Sequence, residues 1–134
     1  MSKLDCVVMI ISMIFLHIVD DFYLQGILAK LKQKSWWKEN YPDEKYSKDY
    51  LTALCIHGLS WSTMIHIPII VMSYMHGYGD GNCIFTTWFL NAGLHMWIDN
   101  EKCNRMNINL YTDQGIHIAQ INVLAVVYAF LIGV

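Results

Sequence analysis

Apolar residues gather into four long runs separated by polar stretches. The first covers Cys6 to Val19 and, past Asp20-Asp21, resumes from Phe22 to Ala29. The second covers Tyr50 to Tyr74, the third Cys83 to Ile98 and the fourth Gly115 to Val134. None alternates with period two, so none reads as a strand. A helix crosses a bilayer core with about 20 apolar residues. The second and fourth runs meet that length, the third is short, and polar residues interrupt the first near its end. The pattern predicts an all-α, four-helix multi-pass transmembrane bundle that forms a single domain over residues 1–134. Its helices fall at about 5–29, 50–74, 83–100 and 113–134, with a loop at about 30–49. Pro68 predicts a local kink in the second helix. The first run lacks a small-x-small cleavage site and carries His17, Asp20 and Asp21, so a cleaved signal peptide is not expected.

Composition sharpens this picture. Hydrophobic residues make up 55% and charged residues 15% of the chain, against roughly 45–50% and 25% in soluble domains. Disorder and a coiled coil are excluded. A formal net charge of −2 leaves no basic footprint, so no nucleic-acid partner is expected. No repeat or low-complexity tract appears.

The basic residues orient the bundle. Lys30, Lys32, Lys34, Lys38, Lys45 and Lys48 lie between the first two runs, and Lys102 and Arg105 between the last two. Lys3 alone lies toward the other side. The positive-inside rule puts the first and third loops in the cytoplasm, and both termini and the Gly77–Gly81 turn on the non-cytoplasmic side. Trp36, Trp37, Tyr41, Tyr46 and Tyr50 suit an interfacial belt or a short surface-lying helix. The cysteines, Cys6, Cys55, Cys83 and Cys103, form no C-x-x-C pair. Cys6 and Cys83 share the outer side, where they either pair or serve as small buried apolar residues.

Candidate chemistry lies in the polar residues within the runs. Ionisable groups at membrane depth are expensive and need a partner or a task. His17/Asp21, His95/Asp99 and Asp113/His117 are each spaced i, i+4, which stacks both side chains on one helix face. His57 adds a fourth imidazole, and Gly58 beside it leaves room for close approach. Asp20 is expected to be the exposed member of its pair. Lysine counting places all these groups toward the cytoplasmic end. Four imidazoles and three carboxylates predict a divalent metal site for zinc, manganese or iron, with one or two ions. The predicted ligands are His17, Asp21, His57, His95, Asp99, Asp113 and His117. Gln25 and Gln114 are candidate orienters of those ligands. Asp99 and Asp21 are candidate catalytic groups, and Lys102 is a candidate anion clamp. For any one residue a structural role competes: Asp113 as a helix cap, Asp99 as a partner of Lys102. His66 and His76 read as structural or interfacial, with His66 able to satisfy a carbonyl freed by Pro68.

At these residues the chain resembles a family of small prokaryotic and phage membrane proteins catalogued as domain of unknown function 3307. The resemblance rests on His17-x-x-x-Asp21-Phe22-x-Leu24-Gln25, His57-Gly58-Leu59, His95-x-x-x-Asp99-x-x-Lys102 and Asp113-Gln114-x-x-His117, in that order. The Trp36–Tyr50 region does not match the family pattern. The chain is also distantly similar to inner-membrane proteins labelled metal-dependent hydrolases. That resemblance implies a prokaryotic inner membrane and a hydrolytic reading. The leading expectation is a metal-dependent hydrolase of an anionic lipid or phosphoester at the membrane surface. The alternatives are a non-enzymatic membrane accessory protein with a structural His/Asp network, and a metal or proton carrier. A carrier needs a second polar patch near the outer side, where the sequence offers only Asp5, Asp80 and Asn82.

Overall fold

The computed structural model describes residues 2–77 and 80–131. The fold among them is entirely helical. Helix α1 spans Lys3–Val19 and runs into a π-helical turn, Asp20–Leu24. Two short helices follow, α2 (Leu28–Leu31) and α3 (Lys34–Asn40), then a 3₁₀ turn at Glu44–Tyr46. Three long helices complete the chain: α4 (Asp49–His76), α5 (Gly81–Cys103) and α6 (Leu110–Leu131). The stretches Lys3–Leu24 and Glu44–His76 are long and apolar enough to cross a membrane.

Local chemistry explains the boundaries. A Ser2/Asp5 capping box opens α1, each side chain bonding the other's backbone N–H. The first predicted helix does not run on to residue 29. It ends in the π turn, and Gly26 then takes a positive φ of 46°, a conformation open to glycine without a Cβ penalty. The predicted loop contains α3, a short helix with two tryptophans. Gly77, at φ 67°, terminates α4. Helix α4 continues through Pro68.

Helices α1 and α4 run antiparallel. Asp5 and His76 approach to 3.4 Å at one end, while Asp20 and His57 approach to 3.5 Å near the other. Between α4 and α5 the backbones nearly touch at Gly58, where a Cβ would sit 2.7 Å from the Ala92 carbonyl oxygen. Asn104 joins the two basic segments at the other end of the bundle. It accepts from the Lys34 N–H at 2.6 Å and donates to the Lys32 carbonyl at 3.0 Å.

The interior has two layers. Met9, Met13, Ile65, Ile69, Ile121, Leu124 and Tyr128 form an apolar core toward the Asp5/His76 end. The other half is filled by histidines and aspartates. Trp61, fully buried, divides the two. The outside inverts the usual arrangement: Phe15, Phe89 and Phe130 are 62%, 63% and 80% exposed. All four cysteines are free.

Candidate metal centre

Four helical segments deliver the polar layer. The three i, i+4 pairs all turn inward, as a 3.6-residue period requires. His17 and Asp21 come from α1 and its π turn, His57 from α4, His95 and Asp99 from α5, Asp113 and His117 from α6. All seven are buried. Two compact groups form within this set, Asp21–His57–His95 and His95–Asp99–His117. Each of these triads could hold a metal ion.

His57 Nε2 stands 3.2 Å from Asp21 Oδ1 and 3.5 Å from Asp99 Oδ2. His95 Nε2 stands 3.7 Å from Asp21 Oδ1. His117 Nε2 is 3.7 Å from Asp99 Oδ1 and 3.5 Å from Asp113 Oδ1. Yet both ring nitrogens of His57, His95 and His117, with Asp21 Oδ1, Asp99 Oδ1 and Asp113 Oδ1, have no hydrogen-bond partner. Buried polar atoms are almost always satisfied, so a concentration of unpaired ones needs a reason. Donors held about 2.1 Å from one ion lie roughly 3.0–3.4 Å apart in octahedral or tetrahedral geometry. The spacings here fall at or slightly above that range.

The first triad has the supporting contacts of a metal site. His57 Nδ1 faces Asp20 Oδ2 at 3.5 Å. Ser60 Oγ donates to Asp20 Oδ1 at 2.6 Å. At 3.5 Å the Asp20 contact is an approach and not a hydrogen bond, but it sets a carboxylate behind His57 in the arrangement that orients metal-bound histidines. Gln114 Nε2 donates to Asp21 Oδ2 at 3.0 Å and to Asp113 Oδ2 at 3.0 Å, leaving Asp21 Oδ1 free. Gln114 thus holds two of the predicted carboxylates. Gln25 instead bonds the Asp21 backbone carbonyl and no ligand side chain.

His17 stands apart. Trp61 Nε1–H donates to its Nδ1 at 2.7 Å, and its Nε2 lies 3.1 Å from Gln114 Oε1. Both nitrogens are committed to the protein, so His17 backs the cluster and belongs to neither triad. Lys102 is likewise occupied: its ammonium donates to Asp113 and lies 3.7 Å from Asp99 Oδ1. An anion clamp would have to break those pairs.

Four members escaped sequence reasoning. Asp20, expected to be exposed, is 1% exposed. A π turn advances less per residue than an α turn, so adjacent side chains can share a face. Lys32 is 4% exposed and donates to Asp99 Oδ2 at 2.6 Å. Nothing in its sequence setting separates it from Lys30 and Lys34. Trp61 forms the floor, stacked on His95 at 4.2 Å between ring centroids. Ser60 anchors Asp20.

Polar contacts also continue toward the Asp5/His76 end. Gln120 Nε2 donates to Asn91 Oδ1 at 2.8 Å. Thr87 Oγ1 lies 3.2 Å from both His66 Nε2 and the Tyr128 hydroxyl. The sequence already sets Asn91 four residues before His95 and Gln120 three after His117, on the same stripes. The Thr87, His66 and Tyr128 contacts add to the outer-side residues Asp5, Asp80 and Asn82. His66 Nδ1 contacts the Ser62 carbonyl at 2.7 Å rather than that of Met64, whose helical donor would be the N–H that Pro68 lacks.

A groove of about 840 Å³ lies beside the cluster, lined by Phe22, Leu110, Tyr111, Gln114 and Ile118 among others. Gln114 therefore belongs both to the groove and to the contacts around Asp21. No protein-family model, curated protein or solved structure matches the chain.

Proposed function

We propose that this is an integral membrane protein holding one divalent cation at Asp21, His57 and His95, and that it acts as a metal-dependent hydrolase. The observation that carries the metal reading is the set of unpaired buried donors in the Asp21–His57–His95 triad, backed by Asp20 and Ser60. Two imidazoles and one carboxylate suit zinc, manganese or iron. The buried carboxylates Asp20, Asp21, Asp99 and Asp113 outnumber the two ammonium groups that pair with them among the described residues, Lys32 and Lys102, an excess that a cation would offset. His95 Nε2 has one lone pair, so the two triads cannot each claim it.

Three protein ligands leave a coordination position open, as catalytic sites do. A bound divalent ion would supply an activated water there. Asp99 is the proton acceptor proposed for that water: its Oδ2 lies 3.5 Å from His57 Nε2 and is held by Lys32, while its Oδ1 faces His117 at 3.7 Å. The Gln114 groove supports an amphipathic substrate arriving sideways, and a phosphoester or anionic lipid is the class proposed.

The inverted surface supports the membrane reading. Soluble monomers rarely expose contiguous apolar patches of this kind, and buried aspartates and histidines mark functional interiors of membrane bundles. In this reading all four long helices span the bilayer, with the Lys30–Lys48 and Lys102–Arg105 segments cytoplasmic. The resemblance to domain of unknown function 3307 implies a membrane protein as well. An alternative, a structural polar network in an accessory protein, draws on the complete burial of the cluster and the internal Lys32–Asp99 pair.

Metal content separates the two. Detergent-purified wild type should carry about one equivalent of zinc, manganese or iron. The His95→Ala, Asp99→Ala double variant should carry none. Folded wild type that binds no supplied metal would overturn the enzyme reading.

A further inference from the structure

A second site lies at the same end of the bundle and shares no residue with the His/Asp cluster. It is a cleft of about 420 Å³ between α3 and the segment after α5, within the roughly 300–1,000 Å³ of small-molecule sites. Its lining brings together two cations, two aromatic rings and two carboxylates: Lys34 and Lys38, Trp37 and Tyr41, Asp43 and Glu44. Lys34 and Lys38 lie one turn apart on α3, and the acids come from the turn that follows.

The aromatic wall is braced before any ligand arrives. Trp37 Nε1–H donates to the Leu31 carbonyl at 2.6 Å. Its ring packs 5.6 Å from Tyr41 and stacks 6.5 Å from Tyr46. Asn104, on the opposite wall, is tied across the cleft to the backbone of Lys32 and Lys34. The charges are only lightly engaged within the fold: the Lys34 ammonium lies over the Tyr50 ring at 5.7 Å from its centroid, a contact a phosphate would have to compete with. Neither Lys38 nor Glu44 makes an ion pair among the described residues. Asp43 meets only Lys45, at 3.3 Å with both side chains largely in solvent.

We propose that this cleft binds a zwitterionic phosphodiester headgroup, a phosphate joined through a short linker to an ammonium. The lysine pair meets the phosphate. Glu44 and the faces of Trp37 and Tyr41 meet the ammonium, since aromatic faces attract cations. A plain anion would gain the lysines but face Asp43 and Glu44, and a bare cation would face the reverse. Only a ligand carrying both signs uses the whole lining. The chemistry does not depend on the metal site. The membrane reading supplies the source, because this end of the bundle carries eight of the nine basic residues and would lie at the headgroup level.

The test uses the full chain in an uncharged maltoside detergent, followed by calorimetry and phosphorus NMR. The titrants are dihexanoyl phosphatidylethanolamine, dihexanoyl phosphatidylglycerol and water-soluble glycerophosphoethanolamine. The ethanolamine lipid should bind about fivefold to tenfold more tightly than the glycerol lipid. Lys38→Gln and Glu44→Gln should each weaken it by about that factor, and both residues are exposed, so the fold should stand. Glu44→Gln should also narrow the preference over the glycerol lipid. Equal binding by glycerophosphoethanolamine would support the same chemistry with a soluble phosphodiester as the source. Binding by the lipid alone would support the bilayer. Equal affinity for both lipids with no effect of Glu44→Gln, or no binding at all, would overturn the proposal. His57→Ala, which addresses the metal, should leave this binding unchanged.

Discussion

Trp61 and His17 meet through one hydrogen bond of 2.7 Å, indole Nε1–H to imidazole Nδ1. An indole can only donate, so Nδ1 must be unprotonated. His17 then carries its proton on Nε2, directed at Gln114 Oε1, whose amide group grips Asp21 and Asp113. The apolar core thus orients the polar layer through a chain of fixed donors.

Trp61→Phe keeps a stacking ring and removes the donor. It should cost about 1–3 kcal/mol of stability while leaving the metal equivalent in place. Thermal unfolding in detergent, read beside metal content, checks both. A fully stable variant would show that the bond orients nothing.

The two triads make opposite demands on two histidines. His57→Ala should abolish metal binding, whereas His117→Ala should retain about one equivalent. Mass spectrometry of the two purified variants decides. If only His117→Ala empties the protein, the ion belongs to the Asp99 triad.

Lys32 and Lys30 look alike in the chain and differ in the fold. Lys32→Met leaves Asp99 without its buried ammonium partner and should destabilise by about 3–5 kcal/mol. Lys30→Met, on an exposed side chain, should stay within about 0.5 kcal/mol of wild type. Denaturation midpoints of the two variants make the comparison. Equal midpoints would mean that the buried pair contributes nothing net.

Gly58 sets the spacing of α4 and α5. An alanine Cβ there would press on the Ala92 carbonyl, and backbone must shift to admit it. Gly58→Ala should cost about 1–3 kcal/mol. Gly93→Ala, where the new Cβ meets nothing within 4 Å, serves as the neutral control. A Gly58→Ala variant as stable as the control would contradict the close approach.

Much of the site was legible because helical spacing projects directly into space. His17/Asp21, His95/Asp99 and Asp113/His117 had to share faces once their runs were helices, and Gly58 signalled where two backbones meet. Asp20 was hidden because an ordinary α period points it away from Asp21. Lys32 was hidden in a run of lysines whose evident task is topological, and only burial singles it out. Trp61 reads as one more core aromatic until its indole is seen to face three imidazoles. His17 misled in the opposite sense: its spacing matches that of the other ligands, although its nitrogens are taken by Trp61 and Gln114. Helix ends were less legible still, since the π turn and α3 depend on local backbone choices that no apolar run announces.

The π turn also makes the chain unusually sensitive to length at one point. It holds one residue more than an α-helix would need to cover the same rise. Removing a single residue within Asp20–Leu24 would heal the helix into uniform α geometry. Everything beyond the cut would then rotate relative to α1, and two neighbouring acids could no longer face inward together. A substitution in this segment removes one group, but a shortening re-indexes the whole face. That places a constraint on spacing here as strict as the one on residue identity.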